Sequence, residues 1–197
     1  MGARPDAPLI GVLALQGGFA AHERALRCLG ARVRQVRVPG DLEGLEGLVI
    51  PGGESTTMTL GIEREGLAQP LRQLVASGVR VLGSCAGLIM LDREHLGLMD
   101  IHAERNAFGR QIRSFETDLQ LDGLEGGPLR AIFIRAPWIA QAGPAVQVLA
   151  SVDGHPVAAR EGEILAVAFH AELTDDLRLH RWLLKDGSLA GAAASNG

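Results

Sequence analysis

The stretch VRVLGSCAGLIML at residues 79–91 decides the fold of this chain. Apolar runs stand on both sides of Gly83-Ser84-Cys85-Ala86-Gly87. A strand, a tight turn between glycines and a helix form the pattern of a nucleophile elbow, with cysteine here where many hydrolases have serine. The small residues allow strand and helix to pack closely around a strained Cys85, and the helix N-terminus favours its thiolate. The stretch therefore predicts an α/β fold with a reactive cysteine.

A second motif, AVAFHAEL at residues 166–173, supplies a partner for Cys85. Its apolar run predicts a buried strand, on which residues two apart point to the same face. His170 and Glu172 would then project together, as they must if the carboxylate is to hold the imidazole in the tautomer that a nucleophile needs. Alone, the motif fits a structural histidine at a strand end equally well. Together with the elbow it predicts a Cys85-His170-Glu172 triad.

Composition favours one globular domain. Of the 197 residues, 47% are hydrophobic and 21% charged, and the formal net charge of -4 gives no general attraction to nucleic acid or to anionic membranes. No apolar stretch approaches the roughly eighteen residues that cross a bilayer. The two cysteines and the lack of a secretory pattern favour a cytoplasmic protein. We expect a single domain over residues 1–197, with a core at about 9–186 and frayed tails at 1–8 and 187–197.

Strand and helix patterns alternate along the chain. Strands are predicted at residues 9–15, 33–38, 45–50 and 79–82, and helices at 19–29 and 56–77, the second broken near Gly66. Shorter strands follow at 114–121, 131–134, 146–152, 156–160 and 164–169, and a last helix at about 174–185. This order predicts a three-layer α/β fold, with a mainly parallel sheet, helices on both faces and functional sites at the carboxyl ends of strands.

The glycine loop, PGGESTT at residues 51–57, joins a predicted strand to a predicted helix. By itself it fits a turn and a helix cap at Ser55 or Thr56. It contains neither G-x-x-x-x-G-K-[ST] nor G-x-G-x-x-G, which argues against a nucleotide site. Beside a cysteine nucleophile we interpret it as part of an oxyanion hole, because acyl transfer needs N–H donors aimed at the developing oxyanion.

Six motifs resemble those of a known family. They are LQGGFAAHE (15–23), PGGEST (51–56), GSCAGL (83–88), ERNAFGRQ (104–111), FIRAP (133–137) and FHAELT (169–174). Together they resemble the class I glutamine amidotransferases and, more narrowly, the glutaminase subunits of pyridoxal 5'-phosphate synthases, over about residues 10–183. The resemblance implies hydrolysis of L-glutamine through a thioester and delivery of ammonia to a synthase subunit for vitamin B6 biosynthesis, with no metal or organic cofactor.

The resemblance also assigns roles to residues. Cys85 would be the nucleophile, His170 the base and then the acid, and Glu172 the carboxylate that orients it. Glutamine would lie against Gly53, Glu54, Ser55, Arg105, Ile134 and Arg135, with the N–H groups of Gly53 and Ala86 as the oxyanion hole. The chain departs from the family at Ala171, where proline is usual, and at Trp138, where histidine is common. The spacing of His170 and Glu172 is unaffected.

The acceptor of ammonia is expected on another polypeptide. Lys185 is the only lysine, so the chain offers no Schiff-base lysine in an apolar pocket and no phosphate loop. A glutaminase working without its partner would waste glutamine. We therefore expect an imperfect oxyanion hole near Gly53 in the free chain, which docking of the synthase over residues 16–18 and the glycine loop would complete.

Two other classes of protein stay open at this point: a stand-alone cysteine amidase or hydrolase on the same fold, and a non-catalytic binding module, against which the intact triad argues. Cys28 is predicted to be a small core residue on the apolar face of the first helix. The remaining histidines show no metal-ligand spacing and are predicted to be structural or surface residues; they are His22, His95, His102, His155 and His180. Arg110 and Arg113 are predicted to be solvated.

Overall fold

A seven-stranded, mainly parallel sheet forms the centre of the fold in a computed structural model, which describes residues 6–105 and 114–184. The strands are β1 (Leu9–Leu13), β2 (Arg32–Val36), β3 (Gly47–Ile50), β4 (Arg80–Ser84), β5 (Ile101–Glu104), β6 (Ser114–Leu119), β7 (Leu129–Ile134), β8 (Trp138–Ala142), β9 (Gln147–Val152), β10 (His155–Glu161) and β11 (Ile164–Val167). The helices are α1 (Phe19–Cys28), α2 (Ser55–Arg64), α3 (Ala68–Ala76), α4 (Ala86–Leu91) and α5 (Arg178–Leu183), with short 3-10 helices at Pro39–Leu42 and Ala171–Leu173.

The strand order of the central sheet is β2-β1-β3-β4-β11-β10-β9. The first five strands run parallel, and β10 and β9 join as an antiparallel edge. Strands β1, β3 and β11 are buried at every residue, as expected where helices cover both faces of a parallel sheet. Because these strands are parallel, their carboxyl ends meet at one edge of the sheet.

Helices cover both faces of the sheet, as two neighbouring residues of β4 show. The Ser84 hydroxyl lies 3.2 Å from Nε2 of His22 on α1, whereas a Cβ on Gly83 would lie 2.9 Å from the Gly87 carbonyl oxygen on α4. Consecutive strand residues point to opposite faces, so α1 and α4 lie on opposite sides. Helix α5 packs with α1, and α2 packs with α4. The predicted three-layer α/β fold is confirmed.

Most predicted elements are present with their ends shifted. The predicted helix at 56–77 is two helices, α2 and α3, separated near Gly66, whose φ is 67°. Strands β5 and β8 were not predicted; they pair only with each other, in a two-stranded sheet. The last helix begins at Arg178 rather than near 174, because residues 171–173 form a 3-10 turn first.

The prediction for Cys28 was wrong, since this side chain is exposed. Helix α1 buries His22, Ala25 and Leu26, and its apolar stripe continues three residues later at Leu29, which packs against the core. Cys28 falls beside that stripe. Residues 1–5 and 185–197 lie outside the described residues, and so do Arg110 and Arg113. Within the ranges 6–105 and 114–184, no helix is both long and apolar enough to cross a membrane.

Candidate active site

Cys85 occupies the sharp turn between β4 and α4. Its backbone has φ 50° and ψ -107°, outside the regions that non-glycine residues favour, and its N–H donates to the Val167 carbonyl on β11 at 2.8 Å. A Cβ on Gly87 would lie 2.9 Å from the Ile50 carbonyl carbon, so α4 packs directly against β3. The predicted strain at Cys85 and the close glycine packing around it are both confirmed.

His170 and Glu172 come together for a reason that differs from the prediction. Strand β11 ends at Val167, and Glu172 lies in the 3-10 helix that follows His170, so strand alternation does not apply. The tight turn brings the two side chains together instead. Nδ1–H of His170 donates to Oε1 of Glu172 at 2.7 Å. The carboxylate therefore leaves Nε2 of the imidazole as the nitrogen that can exchange a proton with Cys85.

His170 and Glu172 shift each other's pKa in opposite directions. Burial disfavours a charged His170, but its hydrogen bonds to Cys85 and Glu172 outweigh this effect and raise its pKa to about 10. Burial also works against an ionised Glu172, yet hydrogen bonds from His170 and His22 hold its pKa well below the usual range. At neutral pH the imidazolium and the carboxylate are therefore charged together.

A cavity of about 370 Å³ opens in front of Cys85 at the carboxyl edge of the sheet. Its lining residues are Gln16, Gly53, Glu54, Ser55, Cys85, Ala86, Ile89, Arg105, Ile134, Arg135, Pro137 and His170. They include every predicted site residue except Glu172, which touches the ring of His170 and has a side chain only 2% exposed. Among residues 6–105 and 114–184, no group of three His, Cys, Asp or Glu side chains could hold a metal ion.

Glu54 caps the helix that follows the glycine loop, so the prediction of a cap at Ser55 or Thr56 was wrong. Its carboxylate accepts from the backbone N–H of Thr57 at 2.8 Å and of Thr56 at 3.2 Å, and also from the Thr57 hydroxyl. These hydrogen bonds, that of the Thr57 N–H above all, lower the pKa of Glu54 to about 2. A negative charge is thus fixed at the wall of the cavity.

Gln16 belongs to the cavity, and the sequence analysis did not assign it to the substrate site. Its Oε1 accepts from the Glu54 N–H at 2.7 Å, and the Gly18 N–H donates to the Gly52 carbonyl at 2.9 Å. Residues 16–18, here called the N-terminal loop, are therefore hydrogen-bonded to the glycine loop. The motif LQGGFAAHE follows the first strand, so its position at the carboxyl edge was the available signal.

Arg105 reaches the cavity at the end of a chain of side chains. Its guanidinium donates to the Thr56 hydroxyl at 3.3 Å and to Nε2 of His95 at 3.2 Å. Nδ1–H of His95 donates in turn to Asp92, a buried carboxylate, at 2.7 Å. His95, predicted only to be structural or at the surface, thus orients a cavity residue. The rest of ERNAFGRQ, residues 106–111, lies outside the described residues.

Arg135 and Trp138 lie where the chain passes from β7 to β8, two strands that belong to different sheets. Arg135 has a left-handed backbone, φ 45°, directly after β7. Trp138, one of the departures from the family pattern, donates its indole N–H to Glu104 at 3.1 Å and stacks on His155 with ring centroids 3.5 Å apart. The tryptophan is thereby held beside the cavity by contacts from two other strands.

Behind the triad, one buried histidine contacts Glu172 and a second buried histidine contacts the first. Nε2 of His22 lies 3.3 Å from Oε2 of Glu172, and Nδ1 of His22 lies 2.8 Å from Nε2 of His180. Both imidazoles are 0% exposed. Neither contact was predicted from the sequence, although His22 stands in the motif LQGGFAAHE.

The fold and the site agree with the protein family that the sequence matches. The sequence profile described as the SNO glutamine amidotransferase family matches residues 12–188. The chain belongs to this family. A solved structure described as a glutamine amidotransferase shares 44% identity with a TM-score of 0.84, covering 89% of this chain and 97% of the other.

Two curated relatives within this similarity match most of the chain and carry the same name. A protein of Parafrankia sp. (strain EAN1pec) is 52% identical over 185 residues, which cover 89% of this chain and 91% of the relative. A protein of Nocardia farcinica (strain IFM 10152) is 48% identical over 208 residues, covering 98% of this chain and 92% of the relative. Both relatives are named pyridoxal 5'-phosphate synthase subunit PdxT.

Proposed function

We propose that this chain is the glutaminase subunit of a pyridoxal 5'-phosphate synthase, hydrolysing L-glutamine at Cys85 and passing the ammonia to a synthase subunit. The observation that carries the proposal is a strained cysteine and a carboxylate-bound histidine at the cavity of a glutamine amidotransferase family member. The names of the curated relatives support the choice of acceptor. We assign this role to one domain spanning the chain and place it in the cytoplasm.

The proposed reaction begins with attack of the Cys85 sulfur on the side-chain amide carbon of glutamine. His170, which already holds the thiol proton as an imidazolium, gives it to the nitrogen as the C–N bond breaks and ammonia leaves. A glutamyl thioester remains on Cys85. His170 then takes a proton from water, whose oxygen attacks the thioester, and keeps that proton as the C–S bond breaks and the Cys85 thiolate and glutamate separate. Glu172 stays ionised and stabilises the imidazolium throughout.

The walls of the cavity complement the substrate. The N–H groups of Gly53 and Ala86 are the proposed oxyanion hole, since both residues line the cavity with Cys85, Gly53 in the loop after β3 and Ala86 at the start of α4. Glu54 and Arg105 carry opposite charges on the cavity wall, which suits a zwitterionic amino acid. Ser55, Ile134 and Arg135 complete the proposed glutamine contacts.

The N-terminal loop offers a route by which a partner could act on the oxyanion hole. Gln16 holds the backbone of Glu54, and Gly18 holds Gly52, so both residues that flank Gly53 are bonded to this loop. We propose that the synthase subunit docks over residues 16–18 and the glycine loop and thereby orients the Gly53 N–H. Neutral ammonia would then be released only where an acceptor is present.

Glutamate release by the free chain and by the chain with the synthase subunit tests the proposal. We expect low turnover alone and a large rise, chiefly in kcat, on addition of the synthase subunit. The Cys85→Ala variant with the same subunit is the matched control and should release no glutamate. Full activity in isolation, unchanged by the synthase subunit, would contradict the partner and favour a stand-alone amidase, as would cleavage of varied amides with no preference for glutamine.

A further inference from the structure

The two buried histidines, here called the histidine pair, form a line that ends on Glu172. His180 on α5 contacts His22 on α1 at 2.8 Å, and Nε2 of His22 lies 3.3 Å from Oε2 of Glu172. Oε1 of the same carboxylate accepts from His170, so the two sides of Glu172 face two different imidazoles. The reaction proposed above uses only one of them.

The hydrogen bonds determine the tautomers of the pair. Glu172 is ionised and can only accept, and the Ser84 hydroxyl, which donates to Glu172 at 3.4 Å, can accept from Nε2 of His22 at 3.2 Å. Both neighbours of Nε2 are therefore acceptors, so Nε2 of His22 carries a proton. Burial lowers the pKa of His180 to about 3, which keeps this imidazole neutral with a single N–H. In the part of the chain that the structure describes, Nδ1 of His180 has no hydrogen-bond partner.

The N–H of a neutral His180 therefore belongs on Nε2, where it can donate to Nδ1 of His22. The opposite tautomer would bury an N–H without an acceptor, which is rare in folded proteins. His22 then accepts at Nδ1 and donates at Nε2. Both N–H bonds of the pair point toward Glu172, and two aligned imidazole dipoles favour its negative charge.

We propose that His22 is a positioning residue of the glutaminase, donating Nε2–H to Oε2 of Glu172, and that His180 fixes the tautomer in which it does so. This inference rests on the proposed function of the triad. The hydrogen bond holds the carboxylate in the rotamer that meets His170. It also gives a second donor to an oxygen whose other donor is the Ser84 hydroxyl at 3.4 Å, in a Glu172 side chain that is only 2% exposed.

The charged and titratable groups around the pair are few. Glu172 and His170 lie on its triad side, and Asp176, in the segment before α5, acts on His180. An N–H donated to Glu172 favours its ionised form, so removal of His22 raises the pKa of Glu172. The triad should then lose its carboxylate at a higher pH as the solution is acidified.

Matched substitutions separate the effect of the His22 hydrogen-bond donor from the effect of packing by its ring. His22→Leu removes the donor, whereas His22→Gln keeps an N–H that can reach Glu172 and an oxygen that can accept from His180. His180→Leu and His180→Gln make the same contrast one step further away. His102, which is 37% exposed and pairs with Glu94, provides the control pair His102→Leu and His102→Gln.

In the complex with the synthase subunit, we expect His22→Leu to lower kcat about 10–100-fold, the size of effect measured for outer hydrogen-bond partners of metal-ligating groups. KM for glutamine should change little, the acidic limb of the kcat profile should move to higher pH, and His22→Gln should recover most of the loss. The His180 variants should follow the same order with smaller changes. The His102 variants should match the unmodified chain.

A second measurement does not need glutaminase activity. The rate at which iodoacetamide alkylates Cys85, followed on the Cys85 peptide by mass spectrometry, reports the thiolate that His170 and Glu172 support. Its pH profile should shift in His22→Leu and return in His22→Gln. Two-bond ¹⁵N–¹H spectra of the unmodified chain should show both His22 and His180 protonated on Nε2 alone.

The outcomes distinguish the two proposals. Equal kinetic losses in His22→Leu and His22→Gln, with unmoved pH profiles, would overturn the positioning role and leave His22 as a packing residue, whatever their melting temperatures. Nδ1 protonation of neutral His22 would overturn it as well. A chain that never releases glutamate, but whose Cys85 reactivity still depends on the His22 donor, would refute the glutaminase and retain the positioning role.

Discussion

The two sides of His170 differ in what surrounds them. On one side the imidazole faces a cavity of about 370 Å³, lined by polar groups such as Gln16, Glu54 and Arg105. On the other side it faces Glu172, whose side chain is 2% exposed and which is backed by two imidazoles that are 0% exposed. The open side can adapt to a ligand or a partner, whereas the buried side has one arrangement.

Because of this difference, we expect substitutions on the two sides to change different kinetic constants, kcat on one side and KM on the other. A buried hydrogen bond to a charged group is strong and leaves an unpaired charge when it is broken, so changes there should act on kcat. Apart from the proposed oxyanion-hole N–H groups of Gly53 and Ala86, the groups on the cavity wall meet the substrate in the ground state as well as in the transition state. Changes on that side should act mainly on KM.

The largest effect is expected at the nucleophile between the two sides. Cys85→Ala should abolish glutamate release in the presence of the synthase subunit while leaving the melting temperature nearly unchanged, because it removes one sulfur atom from a turn that already holds small residues. Circular dichroism and a glutamate assay check both parts. Cys28→Ala is the matched control, and this exposed cysteine should be dispensable. Loss of activity in Cys28→Ala alone would contradict the elbow assignment.

The buried side is tested by Glu172→Gln. We expect kcat to fall by orders of magnitude, up to about 10⁴-fold as in serine-protease triads, because the imidazole loses both its tautomer control and its counter-charge. The glutamine dissociation constant, measured calorimetrically, should change far less. An equally large rise in that constant would place Glu172 in the substrate pocket and remove the contrast between the two sides.

The carboxylate of Glu172 also makes the free energy of unfolding depend on pH. The pKa of Glu172 is lowered in the folded chain, so its stabilising contribution is present above the unfolded pKa of about 4.3 and is lost as the pH falls through the folded value. The stability difference between the unmodified chain and Glu172→Gln should therefore shrink below about pH 4. Urea unfolding at several pH values measures this difference.

The parallel half of the fold was predictable because local signals and tertiary structure agree there. Apolar runs marked its strands, and the glycines around Cys85 marked the elbow. The 3-10 turn at Ala171–Leu173 was not predictable in the same way, since the apolar run continues through Phe169 although the strand ends at Val167. Strands β5 and β8 are short and pair only with each other, so neither carries a clear pattern of its own.

The open side is tested by removing a support of Arg105. His95→Leu should raise KM for glutamine several-fold and leave kcat within about twofold, because it frees the guanidinium without touching the triad. His95→Gln, which keeps an acceptor for Arg105, should restore KM. Steady-state kinetics with the synthase subunit measure KM and kcat for each variant. A fall in kcat at constant KM would show that this side also controls the chemistry.

The smallest effect is expected at the helix cap. Glu54→Gln removes the charge but keeps an oxygen that can accept from Thr56 and Thr57, so the melting temperature should fall slightly and KM should rise modestly. Thermal unfolding and kinetics on the same sample separate the two effects. An unchanged KM would remove Glu54 from the proposed glutamine contacts while leaving its role as the cap.

Some residues in and around the cavity were predicted from the sequence, and others were not. Motifs supplied the triad and most of the lining. LQGGFAAHE, PGGEST, GSCAGL and FHAELT come at the ends of parallel strands at one edge of the sheet, whereas ERNAFGRQ and FIRAP come at the ends of β5 and β7, which lie outside the central sheet. The contact between His22 and His180 could not be predicted in this way, since the two residues are 158 positions apart in sequence. His95 is three positions from Asp92 and ten from Arg105, but it belongs to none of the motifs. Their roles depend on which helix faces which strand, and this is decided by packing.

The most direct test of the account is covalent capture of Cys85 by a glutamine-shaped diazoketone in the complex with the synthase subunit. Intact mass should show one adduct per chain, peptide mapping should place it on Cys85, and excess glutamine should prevent it. Cys28 should stay unmodified although it is exposed. An adduct on Cys28 instead, or an unmodified Cys85 in a complex that releases glutamate from glutamine, would contradict the claim that Cys85 attacks the substrate from this cavity.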